Sequence, residues 1–170
     1  MTRMERFIVI EATPVTIEAC APEALLRLEF WDAPVASGLP APLHAVDRPL
    51  GRLIWIEPGA YLLRAPLADL AQAVSELEAL AGDDGAVIDI SGGLARFRFS
   101  GRAWRELLTV GGVFDVEDPA FVPNRTAATV LHHAAIWIDV IAPEAADVYC
   151  LPSYAHELAE GWARAVARMG

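Results

Sequence analysis

Leu53-Ile54-Trp55-Ile56-Glu57-Pro58-Gly59-Ala60-Tyr61-Leu62-Leu63 is the stretch from which the fold is read. Proline holds a fixed negative φ and glycine accepts a positive one, so Pro58-Gly59 meets the needs of a type II turn. The β-branched, aromatic and aliphatic runs on either side, residues 52–56 and 61–64, read as the two arms of a hairpin. Such arms are too apolar to stand in water, so the neighbouring segments have to cover them.

Upstream, Leu26-Arg27-Leu28-Glu29-Phe30-Trp31 alternates apolar and charged residues, the period of a half-buried strand. Residues 32–51 separate it from the hairpin and hold Pro34, Pro40, Pro42, Pro49, Gly38 and Gly51, which predicts a long surface loop. Downstream, Pro66 suits a first helical turn. Leu67, Leu70, Val74, Leu77 and Ala81 then recur on one helical face until Gly82 stops it.

Residues 86–90 and 94–99 read as a second strand pair turning at Ser91-Gly92-Gly93, with Phe97 and Phe99 opposite Arg96 and Arg98. Ser100 is placed to cap a short helix in which Trp104, Leu107 and Leu108 share a side. Across residues 126–141 the even positions Ala128, Val130, His132, Ala134, Ile136, Ile138 and Val140 are almost uniformly apolar, which predicts one long strand with a buried face. Pro143-Glu144 leads into a strand at 147–151. Ser153 is placed to cap a last helix carrying Tyr154, Leu158, Trp162, Val166 and Met169 on its inner stripe. The order predicts an α+β fold, helices packed on a mostly antiparallel sheet, in a single domain over residues 1–170.

Composition closes several function classes. The 13 basic residues are all arginine and the formal net charge is −10, so the chain lacks the basic face that releases counterions from nucleic acid. With no lysine, neither a Schiff-base nucleophile nor a phosphate-loop lysine is available. No apolar run approaches the roughly 20 residues of a membrane span, although hydrophobic residues are 55% of the chain, enough for part of that surface to face a partner subunit. The apolar stretch at residues 7–10 is too short for a signal peptide. The expected address is the cytoplasm, where the Asn124-Arg125-Thr126 triplet carries no sugar.

The candidate chemistry is sparse. Cys20 and Cys150 lack metal-ligand spacing and read as buried apolar groups. His132 and His133, as strand neighbours, point to opposite faces and do not converge on one ion. His44 has no patterned partner in the proline-rich loop, and His156 reads as a surface residue of a helix. Asp115, Glu117 and Asp118 read as solvated loop charges. No serine lies in a Gly-x-Ser-x-Gly elbow. Ser91-Gly92-Gly93 follows a strand but opens no helix, so it is a turn and not a phosphate loop. Arg96 and Arg98, projecting from a sheet face, are candidates to grip a carboxylate of a ligand or partner. Trp137 is a further candidate contact. No catalytic, cofactor-binding or metal-binding residue is assigned.

Three stretches together resemble the gamma subunit of heterotetrameric sarcosine oxidase. The first is the 53–63 hairpin. The second runs from Asp89-Ile90-Ser91 through Ala95-Arg96-Phe97-Arg98-Phe99-Ser100-Gly101, Leu107-Leu108, Gly111, Asp115, Phe121-Val122-Pro123 and Thr129. The third is Pro152-Ser153-Tyr154-Ala155. Glu57, Tyr61, Asn124 and Ala128 depart from that family's pattern, as does the absence of an arginine before Ser153. Asparagine at 124 keeps the left-handed backbone that a Pro-Asn turn requires.

The resemblance implies the fold of the folate-binding domain of aminomethyltransferases, the glycine-cleavage T-protein group. It implies a non-catalytic assembly role beside larger flavoprotein subunits that oxidise sarcosine or a related N-methyl amine. In that family FAD, FMN, NAD and zinc belong to the partner subunits, so no cofactor is expected on this chain. The alternative is a free-standing folate-like binder, which requires a concave pocket with an aromatic wall and a few convergent polar groups.

Overall fold

A computed structural model of the chain describes residues 10–12, 15–32 and 38–169. Pro34 of the proline-rich loop and most of the 7–10 apolar stretch lie outside these residues. Among the described residues eleven strands form two sheets. They are β1 (Ile10–Ala12), β2 (Val15–Ala19), β3 (Ala24–Phe30), β4 (Ala45–Arg48), β5 (Gly51–Glu57) and β6 (Ala60–Ala65), then β7 (Gly85–Asp89), β8 (Ala95–Ser100), β9 (Thr126–Leu131), β10 (Ala134–Ala142) and β11 (Ala145–Cys150). The helices are α1 (Leu70–Ala81), α2 (Trp104–Thr109) and α3 (Pro152–Met169). One sheet has the order β1-β2-β8-β11-β10-β9 and the other β4-β5-β6-β3-β7, with every pairing antiparallel.

The alternation of side chains along the strands explains why there are two sheets. In β3 and β6 the residues Leu26, Leu28, Tyr61 and Leu63 bury one face of the five-stranded sheet against Leu77 and Ala81 of α1. In the six-stranded sheet Phe97, Phe99, Ile136, Ile138, Val140 and Val148 bury one face against Trp104 and Leu107 of α2 and Leu158 and Trp162 of α3. Trp162 meets Phe97 and Phe99 edge-on, at 5.1 and 4.9 Å between ring centroids. The opposite faces meet each other, where Leu25, Ile54 and Leu62 of one sheet pack on Tyr149 and Trp137 of the other. Helix, sheet, sheet and helix therefore stack as four layers.

The 53–63 hairpin forms as expected, with Glu57 paired to Ala60 across a turn in which Gly59 has φ +78°. A Cβ on Gly51 would stand 2.0 Å from the Arg64 carbonyl oxygen, so only glycine lets β5 approach β6 there. The first predicted helix forms over Leu70–Ala81 behind a 3-10 turn, and Gly82 ends it at φ +56°. Leu67 lies outside its buried stripe and is exposed.

Several expectations are corrected. Residues 45–48, read as loop, form edge strand β4. β7 and β8 do not pair with each other. The Ser91-Gly92-Gly93 turn carries the chain from one sheet to the other, leaving β7 on β3 and β8 between β2 and β11. The Ser91 hydroxyl accepts a bond from the Leu25 N–H at 3.1 Å, fixing that crossing to the sheet it leaves. Ser100 ends β8, and α2 starts at Trp104 with no side-chain cap. Ser153 lies inside the first turn of α3, which begins at Pro152, where a missing N–H costs nothing.

The predicted long strand at 126–141 is two strands turning at His132-His133. Leu131 and Ala134 pair across that turn and share a face. The buried parity is therefore odd in β9 (Ala127, Leu131) and even in β10 (Ile136, Ile138, Val140), while Ala128 and Val130 are exposed.

Candidate functional site

Two places collect polar side chains: the layer between the sheets and a cleft beside α3. In the interlayer, each charge sits on a strand whose other residues are almost all apolar, so each is carried inward by the alternation that buries its neighbours. A charge buried in this way requires a partner. Arg52 of β5 is 5% exposed and donates from Nε and Nη2 to Asp139 of β10, which is fully buried, at 2.6 and 2.8 Å. It also reaches Asp47 at 2.9 Å and the Asn124 side chain at 3.1 Å.

Asp147 of β11, fully buried, accepts bonds from Arg64 of the other sheet and from Arg96 and Arg98 of β8. Arg96 has a second carboxylate in Glu23 at 2.6 Å. Burial alone would raise the Asp147 carboxyl, but the Arg98 hydrogen bonds and the charges of Arg96, Arg64 and Arg98 hold it below the ordinary carboxylate range. At Asp139 burial prevails over the pull of Arg52 and the carboxyl is raised. Burial also raises the Tyr149 phenol, whose hydroxyl has no hydrogen-bond partner among the described residues.

The sequence-predicted contact residues are all found here. Arg96 and Arg98 do converge on a carboxylate, and it is the chain's own Asp147. They do not stand free of the sheet, because β8 is an inner strand whose arginine face is covered by the second sheet. Trp137 is half-buried against the Tyr149 cluster. The residues that sequence reasoning missed are Asp147, Asp139, Arg52 and Arg64, whose signal is a lone charge at an inward position of an otherwise apolar strand.

One corner joins the sheets through the backbone. Asn124 takes φ +70°, as its place in a Pro-Asn turn requires, and its carbonyl accepts from the Ala45 N–H at 2.9 Å. His44 is not partnerless: its ring bonds the Pro42 carbonyl and the Arg125 guanidinium. Asp115 and Asp118 accept bonds from the N–H groups of Glu117 and Ala120 and so hold their own loop.

The cleft beside α3 has a volume of about 260 Å³ and is lined by His132, His133, Tyr154, Glu157, Gly161 and Arg164 over Ala134 and Leu158. Because His132 and His133 form a turn, both face this cleft, contrary to the opposite-face expectation. His133 lies 3.3 Å from Glu157 and edge-on to Tyr154 at 5.5 Å. His132 takes φ +54°, and a Cβ on Gly111 would stand 2.2 Å from its ring. Among the described residues no group of three or more His, Cys, Asp or Glu is placed to hold a metal ion. No helix among them is long and apolar enough to cross a membrane.

No family model matches the chain, and none of the curated proteins matches it. Among solved structures, a chain of the heterotetrameric sarcosine oxidase from Corynebacterium sp. U-96, in complex with pyrrole 2-carboxylate, superposes with a TM-score of 0.81 at 21% identity. The match covers 97% of this chain and 90% of that one. The glycine cleavage system aminomethyltransferase T from Bartonella henselae superposes with a TM-score of 0.62 at 15% identity, over 90% of this chain and 46% of that one. This chain thus spans about half the length of the aminomethyltransferase. The α+β fold implied by the sequence resemblance is the fold found.

Proposed function

We propose that this chain is a non-catalytic subunit of a sarcosine-oxidase-like flavoenzyme complex, held in the cytoplasm by larger flavoprotein chains. Those partners carry FAD, FMN, NAD and zinc and perform the oxidative demethylation of sarcosine or a related N-methyl amine. The observation that carries the reading is the superposition of nearly the whole chain on nearly the whole of one chain of a heterotetrameric sarcosine oxidase. The interlayer supports it: the pairs Arg52 with Asp139 and Arg64 with Asp147 fasten one sheet to the other, while Arg96 and Arg98 engage Asp147 from the neighbouring strand of its own sheet, so these buried charges are satisfied inside the chain. The second reading is a free-standing folate-like binder, supported by the superposition on an aminomethyltransferase T; the α3 cleft, at about 260 Å³, lies just below the roughly 300–1,000 Å³ that ligands of drug size occupy.

The test is a turnover assay on two samples, the purified chain alone and the material that co-purifies with it from its own cells, each supplied with sarcosine and an electron acceptor. Oxidation confined to the co-purified material is expected. Oxidation by the chain alone would overturn the proposal.

A further inference from the structure

Three features converge on the cleft between the β9–β10 turn and α3. The first is Gly161, in the interior of an 18-residue helix, where glycine is among the worst helix formers. A Cβ built there meets nothing within 4 Å, so no neighbour inside the chain demands its absence. The second is His132, at φ +54° in the two-residue turn, whose N–H donates to the Gly111 carbonyl at 2.7 Å and whose ring closes on Gly111, which fixes the turn at the cleft's edge. The third is the lining itself, an apolar floor of Ala134 and Leu158, an aromatic wall of His133 and Tyr154, and one carboxylate and one guanidinium at the rim.

The helix sets the spacing of those charges. Glu157, Gly161 and Arg164 lie at i, i+4 and i+7, on one stripe of α3, and the missing side chain at 161 leaves the space between the two charges open. Glu157 is 63% exposed and lies near His133, while Arg164 is 63% exposed and lies 3.5 Å from Glu160. Exposed pairs of this kind are weak, so both groups exchange partners readily.

We propose that this cleft is a binding site for a small zwitterion of amino-acid size, its ammonium end at Glu157, its carboxylate end at Arg164 and its body against the Tyr154 ring. The volume of about 260 Å³ sets the size class, and the opposite charges at the two ends set the ligand's polarity. The site lies outside the interlayer and does not depend on the assembly reading.

The test is a two-dimensional NMR titration of the purified full-length chain with glycine, β-alanine and γ-aminobutyrate, and with butylamine and butyrate as singly charged controls. At least one zwitterion is expected to shift the Gly161 amide and the Tyr154 ring saturably, with an affinity roughly tenfold or more above either control. Gly161→Leu, which fills the cleft, is expected to abolish the shifts. Should that variant not fold, Glu157→Gln and Arg164→Gln, both at solvent-exposed side chains, are expected to abolish them instead. No saturable shift with any zwitterion, equal shifts with the single-charge controls, or undiminished binding in the folded variants would each overturn the proposal.

Discussion

Replacing Asp147 by asparagine keeps the side chain's shape and removes its charge. The residue is fully buried and faces Arg64, Arg96 and Arg98, of which, among the described residues, Arg96 alone is in an ion pair with a second carboxylate, Glu23. Three guanidinium groups now share two carboxylates; in the variant they share one. Removing one partner of a buried ion pair costs about 3–5 kcal/mol. Arg98 is 32% exposed and regains some hydration, which puts the expected loss near the lower limit, about 3 kcal/mol. For a chain of this length that is a fall of about 6–12 °C in Tm.

Urea unfolding followed by tryptophan fluorescence reads the loss directly, and an unchanged slope would place it in the native state. Arg64→Met is expected to cost much less in the Asp147→Asn background than in the natural chain, because the two residues act as a pair across the sheets. A loss under about 1 kcal/mol for Asp147→Asn would show that the layer behaves as a hydrated surface pair and would refute the reasoning.

The same carboxylate sets the acid limb of stability. Its pKa is lowered on folding, so its contribution is complete above the ordinary aspartate value of about 3.9 and is lost as pH falls through the native value. Stability measured against pH should fall there in the natural chain and be flatter in Asp147→Asn. Gly51→Ala places a Cβ 2.0 Å from a backbone carbonyl that cannot swing away, and a loss of about 3 kcal/mol or more is expected by thermal melting. Gly161→Ala meets open space in a helix and should stabilise by about 1 kcal/mol in the same assay. Burial pushes the Cys150 thiol up to about 11, so iodoacetamide at neutral pH should leave it unmodified in the folded chain and alkylate it in urea.

The hairpin, α1 and the apolar stripe of α3 were legible because each depends on local chemistry: a Pro-Gly turn, a Gly82 stop, a repeat at helical spacing. Apart from the two serine caps and Leu67, the failures concern where strands turn and which strand meets which. Residues 86–90 and 94–99 look like a hairpin because nothing local records that Ser91 is bound to Leu25. The 126–141 stretch looks continuous because its turn uses two histidines, with His132 in a left-handed conformation, and not the Asn-Gly pair that usually signals such a bend. Arg96 and Arg98 were visible as a pair seeking a carboxylate. That Asp147 supplies it could not be read from either segment, since the partners are about 50 residues apart and meet through β8–β11 pairing. The α3 cleft was obscured for the same reason, because its walls come from a turn read as strand and from a helix distant in sequence.

The central claim, that the chain works as one member of a larger flavoenzyme, is tested most directly by native mass spectrometry of the untagged chain released gently from its own cells. The account predicts an assembly far above the 18.3 kDa of the chain, containing larger subunits that carry flavin. Recovery of the chain as a free 18.3 kDa species, under conditions that preserve other oligomers from the same extract, would contradict it.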